Sequence, residues 1–224
     1  MKLFNDQSGN ALWIILLTVA LLAALTATIS RSTDTAEQSG NIERHRINAS
    51  DIMRHTSSVR EAVDKLRMTG IGESQMSFDV SFIPAALYAN PNCSSSDCLI
   101  YGSSGGGISY RKPNSEWLDS DHSGDPHYGE WEFFGENDVL GVKSTAPELV
   151  MALGYLKETL CAQINVMLKI SGIPADANGF NTDPFQGGFA TSSVIDGMNG
   201  AEAGCLDSAI AGRGFVFYQV LVKR

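Results

Sequence analysis

The chain has 224 residues, 43% of them hydrophobic, with 16 basic against 25 acidic side chains for a net charge of −9. That balance leaves no basic patch of the kind that neutralises phosphates, and it argues against nucleic acid as a direct partner. The four cysteines, Cys93, Cys98, Cys161 and Cys205, contain no CxxC pair, so an even number of them reads as structural disulfides in an oxidising compartment.

From Ala11 to Ile29 the sequence ALWIILLTVALLAALTATI carries no charge. About 19 residues at 1.5 Å each give roughly 28 Å, close to the ~30 Å of a bilayer's hydrocarbon core. A transmembrane helix is therefore expected over 10–30, after a short leader over 1–9. The leader MKLFNDQSG has only Lys2, offset by Asp6, and the apolar run exceeds the h-region of an ordinary secretory signal. An amphipathic stalk helix is expected over 31–70. There Ala49, Ile52, Thr56, Val59, Val63 and Leu66 recur at spacings of three and four, and Arg44, Arg46, Arg54, Arg60, Glu61, Asp64 and Lys65 fall mostly between them. Ser39 and Gly40 mark a soft point, and Gly70 and Gly72 end the helix.

Gly9 followed by Asn10, Ala11, Leu12, Trp13, Ile14 and ILLTVALLAALTA resembles the N-terminus of type IV pilins and type II secretion pseudopilins. The resemblance covers about the first 70 residues. It implies cleavage between Gly9 and Asn10 by a prepilin peptidase, with the apolar helix continuing into an exported one. The family's usual Glu at the fifth position after the cut is Ile14 here, a departure shared with tip-type minor pseudopilins.

A globular domain is expected over 71–224. MSFDVSF (Met76 to Phe82), CLIYG, GISYRK, GEWEFFG and the terminal GFVFYQVLV read as strands bounded by Gly, Ser, Pro or Asn. A second helix is expected from TAPE, where Thr145 and Glu148 spell a capping box, with Leu149, Leu153, Leu156, Leu160, Ile164 and Leu168 on one face until Gly172 and Pro174. The stretch from Pro174 to Gly212 reads as a long surface loop. The fold class is thus α+β: a long N-terminal membrane-spanning helix continuing into a stalk, packed on an antiparallel β-sheet domain with a second helix.

Asp119, Asp121, Ser123, Gly124, Asp125 and Glu130 fit the D-x-D-x-S-G-x5-E spacing of a calcium loop, whose alternate oxygens surround a hard cation. Pro126 and the strand-like flank GEWEFF count against an EF-hand, and a solvated acidic loop is the competing reading. The resemblance to pseudopilins adds that their globular domains use calcium in loops. His122 and His127 beside Asp121 and Asp125 suit zinc by ligand type, without HExxH or a helical pairing. Gly102 to Gly106 spells G-x-S-x-G, but the strand-like continuation GISYRK does not form a nucleophile elbow. Cys93 with Cys98 would close a tight loop, and Cys161 with Cys205 would tie the second helix to the long loop, although four cysteines permit three pairings.

Together these readings describe a structural or initiating minor subunit of a pilus or secretion pseudopilus, and not an enzyme. Its expected partners are other pilin-like subunits and inner-membrane assembly proteins. Its expected place is the bacterial inner membrane, single-pass, with the C-terminal domain in the periplasm or on the cell surface. The alternative is an uncleaved envelope protein whose periplasmic domain binds calcium or a small ligand.

Overall fold

The computed structural model describes residues 8–80, 87–190, 193–208 and 212–224, and within the first helix it describes the side chains of 12–26 and from 40 onward. The leader residues 1–7 and part of the expected strand ending at Phe82 lie outside the described residues. The chain divides into two compact units, Met1–Arg44 and His45–Arg224.

Helix α1 runs Ser8–Met68, through Gly40. In the second unit its apolar face is buried as the spacing requires: Ala49, Ile52, Thr56, Val59 and Val63 are all 0% exposed and Leu66 is 1%. Its end is a Schellman motif. Gly70 takes φ 90°, the Gly70 N–H donates to Arg67 O at 3.1 Å, and the Ile71 N–H donates to Leu66 O at 3.0 Å.

Among the described residues no helix is long and apolar enough to cross a membrane. This overturns the spanning helix expected over 10–30, and with it the single-pass placement in the bacterial inner membrane.

The second unit is built on one five-stranded sheet of order β3-β1-β2-β5-β4, comprising β1 Glu132–Val139, β2 Glu148–Leu153, β3 Ser193–Ile195, β4 Ala203–Asp207 and β5 Phe215–Val222. It curls into a half-barrel. The sheet is mixed and not antiparallel throughout, because β3 runs parallel to β1 while the other neighbours are antiparallel. Both of its faces are covered. Phe133, Leu149, Met151, Leu153 and Phe217 pack with α1 residues in one core; Phe134, Val150, Ala152, Val216, Tyr218 and Val220 pack with Phe180, Ile195 and Leu206 in the other.

That two-sided burial explains the largest correction to the expected elements. LVMAL is a continuous apolar run with leucines four apart, which imitates a helix face, yet it is the central strand β2. Helix α2 is only Glu158–Leu168. Thr145 caps no helix, and Glu148 lies in β2 with its Oε2 accepting the Val139 N–H at 2.8 Å. The expected long loop contains β3 and β4. Gly204 in β4 masks the strand pattern, since a Cβ there would meet Met198 Cε at 2.1 Å.

The strands expected at MSFDVSF, CLIYG and GISYRK form no ladder among the described residues; only an isolated Ser77–Leu99 bridge is made. Met76, Phe78 and Ile100 are 0% exposed there, and beyond the backbone bonds of that bridge polar side chains supply partners to the backbone. Asn90 Nδ2 donates to Ser74 O at 2.8 Å and Met76 O at 2.7 Å, and Ser77 Oγ donates to Tyr88 O at 3.0 Å.

Candidate functional site: an apolar helical surface

In the first unit the side chains from Leu12 to Thr26 are all exposed. Trp13 is 67%, Leu12 and Leu22 66%, and even Leu17, the least open of the large ones, 49% exposed. No polar face interrupts them, so nothing in the sequence assigns this stretch a wet side. Burying one such side chain contributes roughly 1.5–3 kcal/mol, so leaving ten of them in water is a large cost that an apolar partner surface would remove. Trp13, Leu16, Leu17 and Ala20 outline a notch of about 240 Å³, where the small Ala20 leaves a step beside the indole. Ile14 is 56% exposed on this surface. Gly9 and Asn10, the expected cleavage pair, lie in the first turn of α1.

The acidic loop does not gather its oxygens around one centre. Asp119 Oδ1 accepts the Asp121 N–H at 3.1 Å and so caps the 3-10 turn Ser120–His122. His122 Nδ1 and Asp125 Oδ2 lie 2.7 Å apart, with the His122 ring stacked on Tyr155 at 5.1 Å. Glu130 lies 3.4 Å from His127 Nδ1, an ion-pair distance without hydrogen-bond geometry. Asp121 and Ser123 are exposed. Among the described residues no group of three or more His, Cys, Asp or Glu is placed to hold a metal ion. The G-x-S-x-G run is a turn: Gly106 N–H donates to Leu99 O at 3.0 Å, Lys65 Nζ donates to Gly105 O at 2.9 Å, and Ser104 Oγ reaches only Ser96 Oγ at 2.9 Å.

The cysteines form two disulfides, Cys93–Cys98 and Cys161–Cys205, with Cα–Cα distances of 5.6 and 5.4 Å.

Several buried polar groups were not singled out by sequence reasoning, because nothing in their local pattern marks them. Glu132 in β1 and Arg213 form a bidentate pair, with Nε to Oε2 at 3.1 Å and Nη2 to Oε1 at 3.0 Å. Burial pushes the Glu132 carboxyl up and the guanidinium pulls it back down. Burial alone would lower Arg213, but its bonds to Glu132 leave it raised. Asp138, Glu148 and Asp176 are buried, each with one carboxylate oxygen lacking a hydrogen bond, and burial raises all three carboxyls.

His55, 8% exposed on α1, lies 5.0 Å from the Trp131 ring with its Nε2 unpartnered. Burial, reinforced by the Arg111 charge, lowers it to about 4. Between pH 6.5 and 4 the unfolded chain therefore binds a proton there that the folded chain does not, so stability contributed by neutral His55 is intact above pH 6.5 and is lost as pH falls toward 4. The raised carboxyls act in the opposite sense, favouring the fold as pH falls. We expect His55→Leu to flatten the acid side of the stability profile relative to the native chain by up to about 3 kcal/mol between pH 7 and 4. Urea unfolding at pH 7, 5.5 and 4.5 checks this; parallel profiles for the two proteins would remove His55 from the account.

No family model matches the chain, and neither a curated protein nor a solved structure does.

Proposed function

We propose that the chain is a structural or initiating, low-copy subunit of a pilus or secretion pseudopilus, joined to its partners by the apolar N-terminal part of α1. The observation that supports this is the exposure of every described side chain from Leu12 to Thr26 on a helix without a polar face. A helix apolar all round is stable only when covered, and helices of like subunits offer a surface of the same kind. The resemblance of Gly9 to Ala27 to pilin-like N-termini supplies the class of partner. Ala20, Ala23 and Ala24 permit close approach of a neighbouring helix, and Trp13 supplies a large knob. Ile14 in place of Glu withholds the charged contact that the resemblance associates with major subunits, which favours a minor or tip position.

The test is photo-crosslinking from Leu17 in the producing cell, together with mass spectrometry of the N-terminus. Crosslinks to pilin-like chains and an N-terminus at Asn10 are expected. Leu16→Asp with Leu17→Asp should reduce the crosslinked fraction about tenfold or more, because two charges would have to be desolvated in an apolar interface. Ile14→Glu should raise incorporation along a filament. Absence of any pilin-like crosslink, or abundant filaments made only of the native chain, would refute the minor-subunit reading, and an N-terminus at Met1 would refute the processing step.

A further inference from the structure

We propose that the peptide bond between Asp125 and Pro126 is an autoproteolytic site, at which the Asp125 side chain cuts its own backbone and leaves the protein as two chains, 1–125 and 126–224. All the groups concerned lie in the His45–Arg224 unit, so the inference does not depend on the apolar N-terminal surface.

An Asp–Pro bond carries the reagents for its own hydrolysis. The side-chain carboxylate can close a succinic-anhydride ring on the residue's own carbonyl carbon, and the tertiary amide nitrogen of proline departs as a basic secondary amine. The chain has two such bonds, Asp125–Pro126 and Asp183–Pro184. Only the first is built for reaction. His122 Nδ1 donates to Asp125 Oδ2 at 2.7 Å, while Asp125 Oδ1 has no hydrogen bond among the described residues. One oxygen is held and the other is left to attack. The Tyr128 N–H donates to the Asp125 carbonyl oxygen at 3.3 Å, so a donor already faces the oxygen on which charge develops. That bond closes a turn from Asp125 to Tyr128, with Pro126 second and His127 third. His127 takes φ 64°, the left-handed conformation that a type II turn demands at its third position and that glycine ordinarily supplies. The bond to be cut therefore lies in a strained turn, and cutting it lets His127 relax.

One buried side chain anchors this turn. Tyr155 is 2% exposed, its hydroxyl donates to the Pro126 carbonyl oxygen at 3.2 Å, and the His122 ring stacks on its ring at 5.1 Å. The same tyrosine fixes the residue on the leaving side and the residue that orients the carboxylate. At Asp183, by contrast, Oδ2 accepts from Asn181 Nδ2 at 3.2 Å, and among the described residues no histidine pairs with the carboxylate and no backbone N–H donates to the carbonyl.

In the reaction Asp125 Oδ1 bonds to the Asp125 carbonyl carbon, the bond from that carbon to the Pro126 nitrogen breaks, and the nitrogen leaves with a proton taken from solvent water. Asp125 is then a cyclic anhydride, which water opens to a free α-carboxylate and the restored side-chain carboxylate, with Pro126 as a new N-terminus. Water has access, since the Asp125 side chain is 47% exposed. The cut does not dismantle the fold. Neither disulfide crosses it, yet Ile52, Val59, Val63 and Leu66 of α1 share a core with Phe133, Leu149 and Phe217, so burial alone keeps the two chains together.

The purified full chain would be incubated at pH 5.5 and its fragments followed by mass spectrometry. Cleavage at Asp125–Pro126 should be at least about tenfold faster than at Asp183–Pro184, and in urea the two rates should converge, because unfolding removes the positioning and leaves the intrinsic lability of the bond. His122→Ala should slow the Asp125–Pro126 cut about tenfold without changing the rate at Asp183–Pro184, whereas His122→Asn, which keeps an N–H donor, should stay within about threefold of the native rate. With hydroxylamine present, Asp125 should be recovered as its hydroxamate. Equal rates at the two bonds in the folded chain, no cut at either, an unchanged rate in His122→Ala, or no hydroxamate at Asp125 would each overturn the proposal.

Discussion

Arg213→Ala should destabilise the second unit by about 3–5 kcal/mol in urea unfolding, a large share of a typical domain's stability of about 5–15 kcal/mol. The reason is what the substitution leaves behind. Glu132 is 2% exposed in β1, and the one ion pair it makes among the described residues is with the Arg213 fork. Removing that fork strands a carboxylate between the sheet and the Tyr155 region, where it must either remain charged without a partner or take up a proton. The second course gives the experiment its signature. In the variant the Glu132 carboxyl loses the interaction that pulls it down, so the destabilisation should shrink as pH falls toward the carboxylate range. The native pair itself need not be strongly stabilising, because both ions have been taken from water. Glu132→Leu combined with Arg213→Met should therefore recover most of the loss and come within about 1–2 kcal/mol of the native chain. A loss below about 1 kcal/mol in the single variant would show that water reaches Glu132 after all.

This pair also shows where the sequence stops being informative. Glu132 and Arg213 are 81 positions apart, and neither sits in a pattern that anticipates the other. The helical face from Ala49 to Leu66 was legible because its cause is local: a 3.6-residue period set against interleaved charges. The strand β5 was legible for the same kind of reason, as a β-branched and aromatic run bounded by glycine. By contrast, LVMAL is apolar at every position because the sheet is covered on both faces, and burial from two sides erases the period that separates strand from helix. The Thr145–Glu148 pair looked like a capping box, yet Glu148 accepts a backbone N–H across the β1–β2 ladder. Of the candidate site, the apolar surface of α1 could be read directly, since composition alone defines it. For the acidic loop the spacing was legible and the local contacts were not. Its spacing meets the calcium pattern, but backbone turns and the two histidines take up Asp119, Asp125 and Glu130 individually.

The two disulfides should contribute unequally, and removing the longer one should produce the other large loss. Cys161–Cys205 closes a separation of 44 residues and Cys93–Cys98 one of 5. Loop closure in the denatured chain then predicts stabilisation of about 4 kcal/mol for the first and about 2 kcal/mol for the second. Packing increases the contrast, because Cys161 and Cys205 are both 0% exposed and join α2 to β4, whereas Cys93 lies in a surface loop. Asn165, one turn after Cys161, holds the same strand through Nδ2 to Cys205 O at 2.7 Å and Oδ1 from the Cys205 N–H at 2.8 Å. That clamp does not constrain the unfolded chain, so it should keep α2 on β4 in the folded state without replacing the entropic effect of the bridge. Cys161→Ala with Cys205→Ala should accordingly lower the urea midpoint while native circular dichroism persists at zero denaturant, and Cys93→Ala with Cys98→Ala should shift it by about half as much. Adding Asn165→Ala to the first pair should cost a further 1–3 kcal/mol or so by orphaning the buried Cys205 N–H, which would leave the fold barely populated. Equal shifts from the two disulfide deletions would sink the loop-closure explanation and place the stabilisation in native packing instead.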